Sequence, residues 1–179
     1  MSPRPGLYIV PTERWYIERT VWLIAGVVLL LATALALWVH PLAVLGVVVT
    51  AAASIVVALT GFCVVGNVLA RFGFSPLLAR PGWVPGDLYF MQTDRWYLER
   101  YIYLVVGINL SIASGLSLVH SPWWLAFTGF VGGAMVWFAS TGFCIMANGL
   151  YRLGAEPRLV PQGVPARPAE AAPVHPAAA

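Results

Sequence analysis

Two long windows of the chain carry no Asp, Glu, Lys or Arg: residues 20–70 and residues 101–151. Each is roughly 50 residues, and about 20 apolar residues make one membrane-spanning helix, so each window predicts two helices. His40-Pro41 divides the first window and His120-Ser121-Pro122 divides the second at the matching place. Proline suits the first turn of a new helix and disfavours continuing an old one. The pattern therefore predicts helices over about 20–39, 42–70, 101–119 and 123–151.

The two windows are copies. LYIVPTERWYIER at residues 7–19 recurs as LYFMQTDRWYLER at residues 88–100, with 8 of 13 positions identical. Both windows end alike, in Thr60-Gly61-Phe62-Cys63 with Asn67 and Arg71, and in Thr141-Gly142-Phe143-Cys144 with Asn148 and Arg152. The offset is 81 residues at either end, which marks a duplicated unit. The chain divides into a first two-helix repeat (7–78), a short linker (79–87), a second repeat (88–159) and a Pro/Ala-rich tail (160–179) that reads as disordered.

Arginine placement orients the helices. All ten basic residues are arginine; they precede the first helix, lie between the second and third, or follow the fourth. The two inter-helix turns have none, so the positive-inside rule puts both termini and the linker in the cytoplasm. Two-helix units in tandem must share one orientation. The expected fold is an all-α membrane protein: four transmembrane helices as two parallel hairpin repeats, with a pseudo-two-fold along the membrane normal. The first apolar run lacks a cleavage site and reads as a retained helix, in keeping with a bacterial inner-membrane location. Residues 12–19 read as a short interfacial helix capped by Thr12, with Thr93 as its counterpart.

Composition agrees. The chain has 179 residues, 60% hydrophobic and 9% charged, with mean hydropathy +0.81. Soluble domains are about a quarter charged. The small net charge of +3, carried by arginines flanking membrane segments, argues against nucleic-acid binding. No Cys/His metal spacing, phosphate loop or Ser/His/Asp set is visible, so neither a metal, a cofactor nor an enzymatic activity is expected.

Four groups of residues invite a role. Cys63, Asn67 and Arg71, with their copies Cys144, Asn148 and Arg152, are spaced by four and would line one helix face. That line is either a path for an anion or a sulfur carrier, with Arg lowering the thiol pKa, or a packed thiol, a helix-bridging amide and a snorkelling arginine. Gly61, Gly129, Gly133 and Gly142 read as helix-packing positions. Arg14, Trp15, Glu18 and Arg19, repeated as Arg95, Trp96, Glu99 and Arg100, read as an interfacial anchor in which Arg14–Glu18 and Arg95–Glu99 pair across one turn. His40 and His120 read as helix-ending residues.

TDRWYLER, Gly107, His120 with Pro122, and FVGGAMVWFASTGFCIMANGL resemble the transmembrane domain of the YgaP-type inner-membrane rhodaneses. The first copy keeps TERWYIER, His40-Pro41 and TGFC but has VTAAAS in place of the F-V-G block. The resemblance implies a helical hairpin that dimerises into four helices beside cytoplasmic sulfur-transfer chemistry. This chain has no rhodanese domain, and its two cysteines match the membrane-domain cysteine of that family, so no enzyme activity carries over. The implied role is a scaffold or membrane partner for a cytoplasmic sulfurtransferase or sulfur carrier. Two alternatives are a small transporter or channel for sulfur-containing anions, and an accessory subunit of a larger membrane complex. The lipid bilayer is a partner in every case.

Overall fold

The computed structural model describes residues 6–159; the tail expected to be disordered lies outside them. Among the described residues the chain is helical, in the order α1 (Ile17–Trp38), a single 3₁₀ turn (Pro41–Ala43), α2 (Val44–Thr60), α3 (Val64–Arg71), α4 (Leu98–Val119), α5 (Trp124–Thr141) and α6 (Ile145–Arg152). Four segments are long and apolar enough to cross a membrane: Ile17–Trp38, Pro41–Thr60, Leu98–Val119 and Trp124–Thr141. Away from their first turns they hold no charged residue, and a helix closes its backbone bonds within itself, as a bilayer requires.

Each turn between spans begins at the expected histidine. His40 stands before the 3₁₀ turn, and its Nδ1 accepts from the Leu42 N–H at 3.2 Å. His120 caps the end of α4, and its Nδ1 accepts from the Trp124 indole at 3.2 Å.

Two expectations are corrected. The second helix of each repeat does not run on to residue 70 or 151. It ends at Gly61 or Gly142, both left-handed (φ +77° and +74°), and a separate eight-residue helix follows. That left-handed geometry strains any residue with a Cβ, which is why glycine stands there. Nor do residues 12–16 form an interfacial helix. They are irregular, α1 starts at Ile17, and Tyr16 precedes it with no side-chain cap. Glu18 and Arg19 therefore belong to the first turn of a spanning helix. Glu99 and Arg100 do so in α4.

The most extensive packing crosses between the repeats: α1 lies against α5, and α2 against α4. Glycines permit the approach. A Cβ on Gly26 would meet the Gly132 carbonyl oxygen at 2.8 Å and Val136 Cγ2 at 2.9 Å. At the equivalent crossing, a Cβ on Gly107 would meet Ile55 Cγ1 at 2.6 Å and the Ala51 oxygen at 3.0 Å. Close packing of this kind holds helices together where lipid supplies no hydrophobic drive. The expected Gly129/Gly133 pair is only half right. Gly129 faces Thr33, whereas Gly133 has open space, and Gly132 is the residue at the seam. Thr33 Oγ1 and Thr128 Oγ1 share a hydrogen bond of 2.7 Å across α1 and α5.

Alanine at the helix break and alanine in the presumed seam should therefore behave in opposite ways. Gly142→Ala puts a Cβ at positive φ and against the Val10 carbonyl, and should destabilise the protein by about 2–4 kcal/mol. Gly133→Ala fills open space within a helix and should be neutral or stabilising by up to about 1 kcal/mol. Unfolding of the two variants in detergent separates these cases; equal losses would contradict the account.

Candidate functional site

The polar residues singled out by the sequence converge at one end of the bundle, where α2 breaks into α3 and α5 into α6. Cys63 is the N-cap of α3, and its Sγ accepts from the Gly66 N–H at 3.2 Å. Cys144 occupies the same place before α6. The cysteines thus sit in the helix breaks, past the ends of the spans, instead of on a continuous helix inside the bilayer. Arg71 and Arg152 close the last turns of the two short helices and are exposed. A basic residue suits that position, where the helix dipole is negative.

Asn67 does not look out along a path. Its Nδ2 donates to the Cys63 carbonyl at 2.8 Å and the Tyr89 carbonyl at 2.9 Å, and its Oδ1 accepts from the Tyr89 N–H at 2.8 Å. Asn148 repeats the arrangement on Tyr8: Nδ2 donates to Tyr8 O and Cys144 O at 2.9 Å each, and Oδ1 accepts from Tyr8 N at 2.7 Å. A primary amide matches the donor and acceptor of one extended peptide unit, so each asparagine binds a backbone as a neighbouring strand would. The segment it binds leads into the other repeat.

The same segments are pinned twice more. The Val10 N–H donates to the Gly142 carbonyl at 3.0 Å, and Met91 N–H to the Gly61 carbonyl at 2.8 Å. The Tyr8 hydroxyl donates to Glu99 at 2.7 Å, and the Tyr89 hydroxyl to Glu18 at 2.9 Å. Burial first, and then the facing carboxylate, push both phenols well above their ordinary range, so they remain O–H donors.

Glu18 and Glu99 are almost wholly enclosed, at 1% and 0% exposure. The expected solvated pairing of Glu18 with Arg14 is replaced by bonds to backbone. Glu18 accepts from Leu77 N–H at 3.1 Å and Leu78 N–H at 2.7 Å, and Glu99 from Arg158 N–H at 3.0 Å and Leu159 N–H at 2.9 Å. Each carboxyl group thus collects two amides and one phenol, so its buried oxygens are not left without partners.

Arg19 and Arg100 serve the opposite end of the neighbouring helix. Arg19 Nε donates to the Ala139 carbonyl at 2.6 Å, and Arg100 Nε to Ala58 at 2.5 Å. Those carbonyls lie in the last turns of α5 and α2, where helical partners run out. The other nitrogens reach Thr12 and Thr93 carbonyls at 2.7 and 3.1 Å, and each guanidinium lies 4.0 Å over Trp15 or Trp96. The aromatic stacking suits arginine in particular. Trp15, Trp96, Arg14 and Arg95 are exposed around this core, and Arg95 lies 3.6 Å from Asp94.

Sequence reasoning found these residues but not their partners, and it missed Tyr8 and Tyr89. Their identity in both copies was the available signal. Chemically, the arrangement offers little: the amides, carboxylates and guanidinia are committed to backbone groups. Burial also pushes the Cys63 thiol up, against the expectation that a nearby arginine would lower it. No group of three or more His, Cys, Asp or Glu residues placed to hold a metal ion occurs among the described residues. Compared with protein-family models, characterised proteins and solved structures, the chain matches none.

Two outcomes follow. Asn148→Leu strands the buried Tyr8 N–H and carbonyl, and should cost about 2–4 kcal/mol of stability at roughly 1–3 kcal/mol per unsatisfied group, read by unfolding in detergent. A variant as stable as wild type would mean the amide does not hold the segment. Second, because the Cys63 thiol is raised, a smaller fraction is thiolate at pH 8 than for a free cysteine, and access is restricted. Its alkylation by N-ethylmaleimide should be at least about tenfold slower than that of free cysteine, with the rate climbing at a higher pH. Labelling at the free-cysteine rate would identify a reactive thiol instead.

Proposed function

We propose that this chain is a non-enzymatic, multi-pass inner-membrane protein that acts as a scaffold, or membrane partner, for cytoplasmic sulfur-handling proteins of the rhodanese type. The observation that carries the non-enzymatic part is the commitment of the candidate groups. Glu18, Glu99, Arg19, Arg100, Asn67 and Asn148 each hold backbone of a distant segment. The sulfur-handling part rests on the resemblance of both repeats to the membrane domain of YgaP-type rhodaneses.

In this reading the two hairpins run parallel, related by a pseudo-two-fold along the membrane normal, and both termini are cytoplasmic. Supporting it, the Asn–Tyr, Tyr–Glu and Arg–carbonyl contacts at the helix breaks recur 81 residues on, with the roles of the repeats exchanged. The chain would then supply within itself the four-helix body that a single hairpin gains by dimerising. The arginine-bearing end, with Arg71, Arg80, Arg95 and Arg152 exposed, would face the cytoplasm and receive the partner.

An anion path along Cys–Asn–Arg is less well supported. Both donor hydrogens of Asn67 Nδ2 and its Oδ1 are engaged by backbone, and an anion would have to displace the segments that close the fold.

Cross-linking in native membranes followed by affinity purification tests the reading. A sulfurtransferase or sulfur carrier should be enriched several-fold over an unrelated multi-pass control. Its consistent absence would remove the sulfur-handling reading and leave the membrane architecture untouched.

A further inference from the structure

The duplicated halves differ on one exposed side of the bundle. Between α4, α5 and α6 lies a groove of about 370 Å³, walled by Trp22, Phe127, Phe130, Trp137 and Phe138, with Cys144 also on its lining. The first repeat has no such wall: Gly46, Val49 and Val56 stand where Phe127, Phe130 and Trp137 stand in the second. Asn109 is the one amide on the lining, beside the Cys144 thiol and the Trp22 and Trp137 indoles. Val28 occupies the matching position of the first repeat.

Asn109 is out of place by ordinary membrane chemistry. It is the twelfth of the 22 residues of α4, hence near mid-span, and it is exposed. Its Nδ2 donates to the Val105 carbonyl of its own helix at 2.8 Å. Its Oδ1 accepts no hydrogen bond among the described residues. A bare amide oxygen facing hydrocarbon costs on the order of 1–3 kcal/mol. Acyl chains have no donor to satisfy it.

We propose that this groove binds a membrane-dissolved aromatic ring bearing a hydroxyl, of phenol or quinol type, whose O–H donates to Asn109 Oδ1 while the aromatic walls hold the ring. The size and make-up fit a small-molecule site: a few hundred cubic ångströms, mostly apolar and aromatic, with an amide to fix orientation. Aromatic walls favour a flat ring by offset stacking. The hydroxyl supplies what lipid cannot. This site is separate from the helix breaks and does not rest on the sulfur-handling reading.

Cys144 provides the readout, because it lines the same groove while Cys63 is buried. In phosphatidylcholine nanodiscs, alkylation of Cys144 by N-ethylmaleimide is followed by mass spectrometry, with Cys63 as the internal control. The probes are a fully ring-methylated decylphenol, which has no site for thiol addition, and its methyl ether, which lacks the donor. The phenol should protect Cys144 at about tenfold lower concentration than the ether. In Asn109→Leu, which leaves the packing seams intact, that difference should shrink to about twofold or less. Equal protection by phenol and ether in the wild type, a difference that survives Asn109→Leu, or no protection would overturn the proposal. Self-cross-linking of Asn109→Cys in native membranes would assign this face to a second copy and overturn it as well.

Discussion

The structure depends on how a helix can be broken at the edge of a membrane without leaving backbone groups unpaired. Ending α2 at Gly61 and α5 at Gly142 frees the last carbonyls of each helix and opens a gap before the next one. Near a bilayer each unsatisfied group costs several kcal/mol. The chain answers with an exchange: the guanidinium of one repeat bonds the helix end of the other, and the lead-in segment of one repeat fills the break of the other. Neither break is fully satisfied from within its own hairpin. A lone hairpin would leave its Asn oxygen and its helix-end carbonyl without these partners, so the two halves stabilise each other or neither is complete.

That exchange explains why ionisable groups lie inside so apolar a chain. A carboxylate in the first turn of a spanning helix is normally expensive. Here it is the one side chain able to accept simultaneously from a folded-back loop of its own repeat and a tyrosine of the other. Glu18 joins Leu77, Leu78 and Tyr89, and Glu99 joins Arg158, Leu159 and Tyr8. Removing one partner from such a set leaves the others buried and unpaired, which costs more than the bond itself was worth. The cluster is therefore a junction, and its carboxyl groups are a structural device.

The spans and the duplication were legible because both are local properties: a charge-free run of set length, and identity at a fixed offset. The helix breaks were not. Thr-Gly-Phe-Cys sits inside an unbroken apolar run, and glycine is common within membrane helices, so nothing in the hydrophobic pattern marks a stop. The usable clue was finer. Thr60 Oγ1 and Thr141 Oγ1 accept from the Phe62 and Phe143 N–H groups two residues on, a turn that threonine and glycine favour together. The fate of Glu18, Arg19 and Asn148 was hidden for another reason. Their decisive partners lie 59 to 140 residues away and are mostly backbone atoms, which carry no signature in a side-chain sequence.

The same distinction shows what duplication has held fixed. Where a side chain makes the junction, the two copies agree: Tyr8 and Tyr89, Glu18 and Glu99, Arg19 and Arg100, Gly61 and Gly142, Asn67 and Asn148. Where only the backbone takes part, they differ freely, as in Leu77 against Arg158 under the two carboxylates. At the helix crossing the pairs alter but keep their bulk near the glycine, Ala51 and Ile55 against Gly132 and Val136. On the exposed side the copies differ in kind: Phe127, Phe130, Trp137 and Asn109 in the second stand where the first has Gly46, Val49, Val56 and Val28. Random drift on a lipid face would exchange one apolar side chain for another, because any of them satisfies hydrocarbon. A polar group at mid-span does not, so its presence beside the aromatic residues calls for a partner outside the chain.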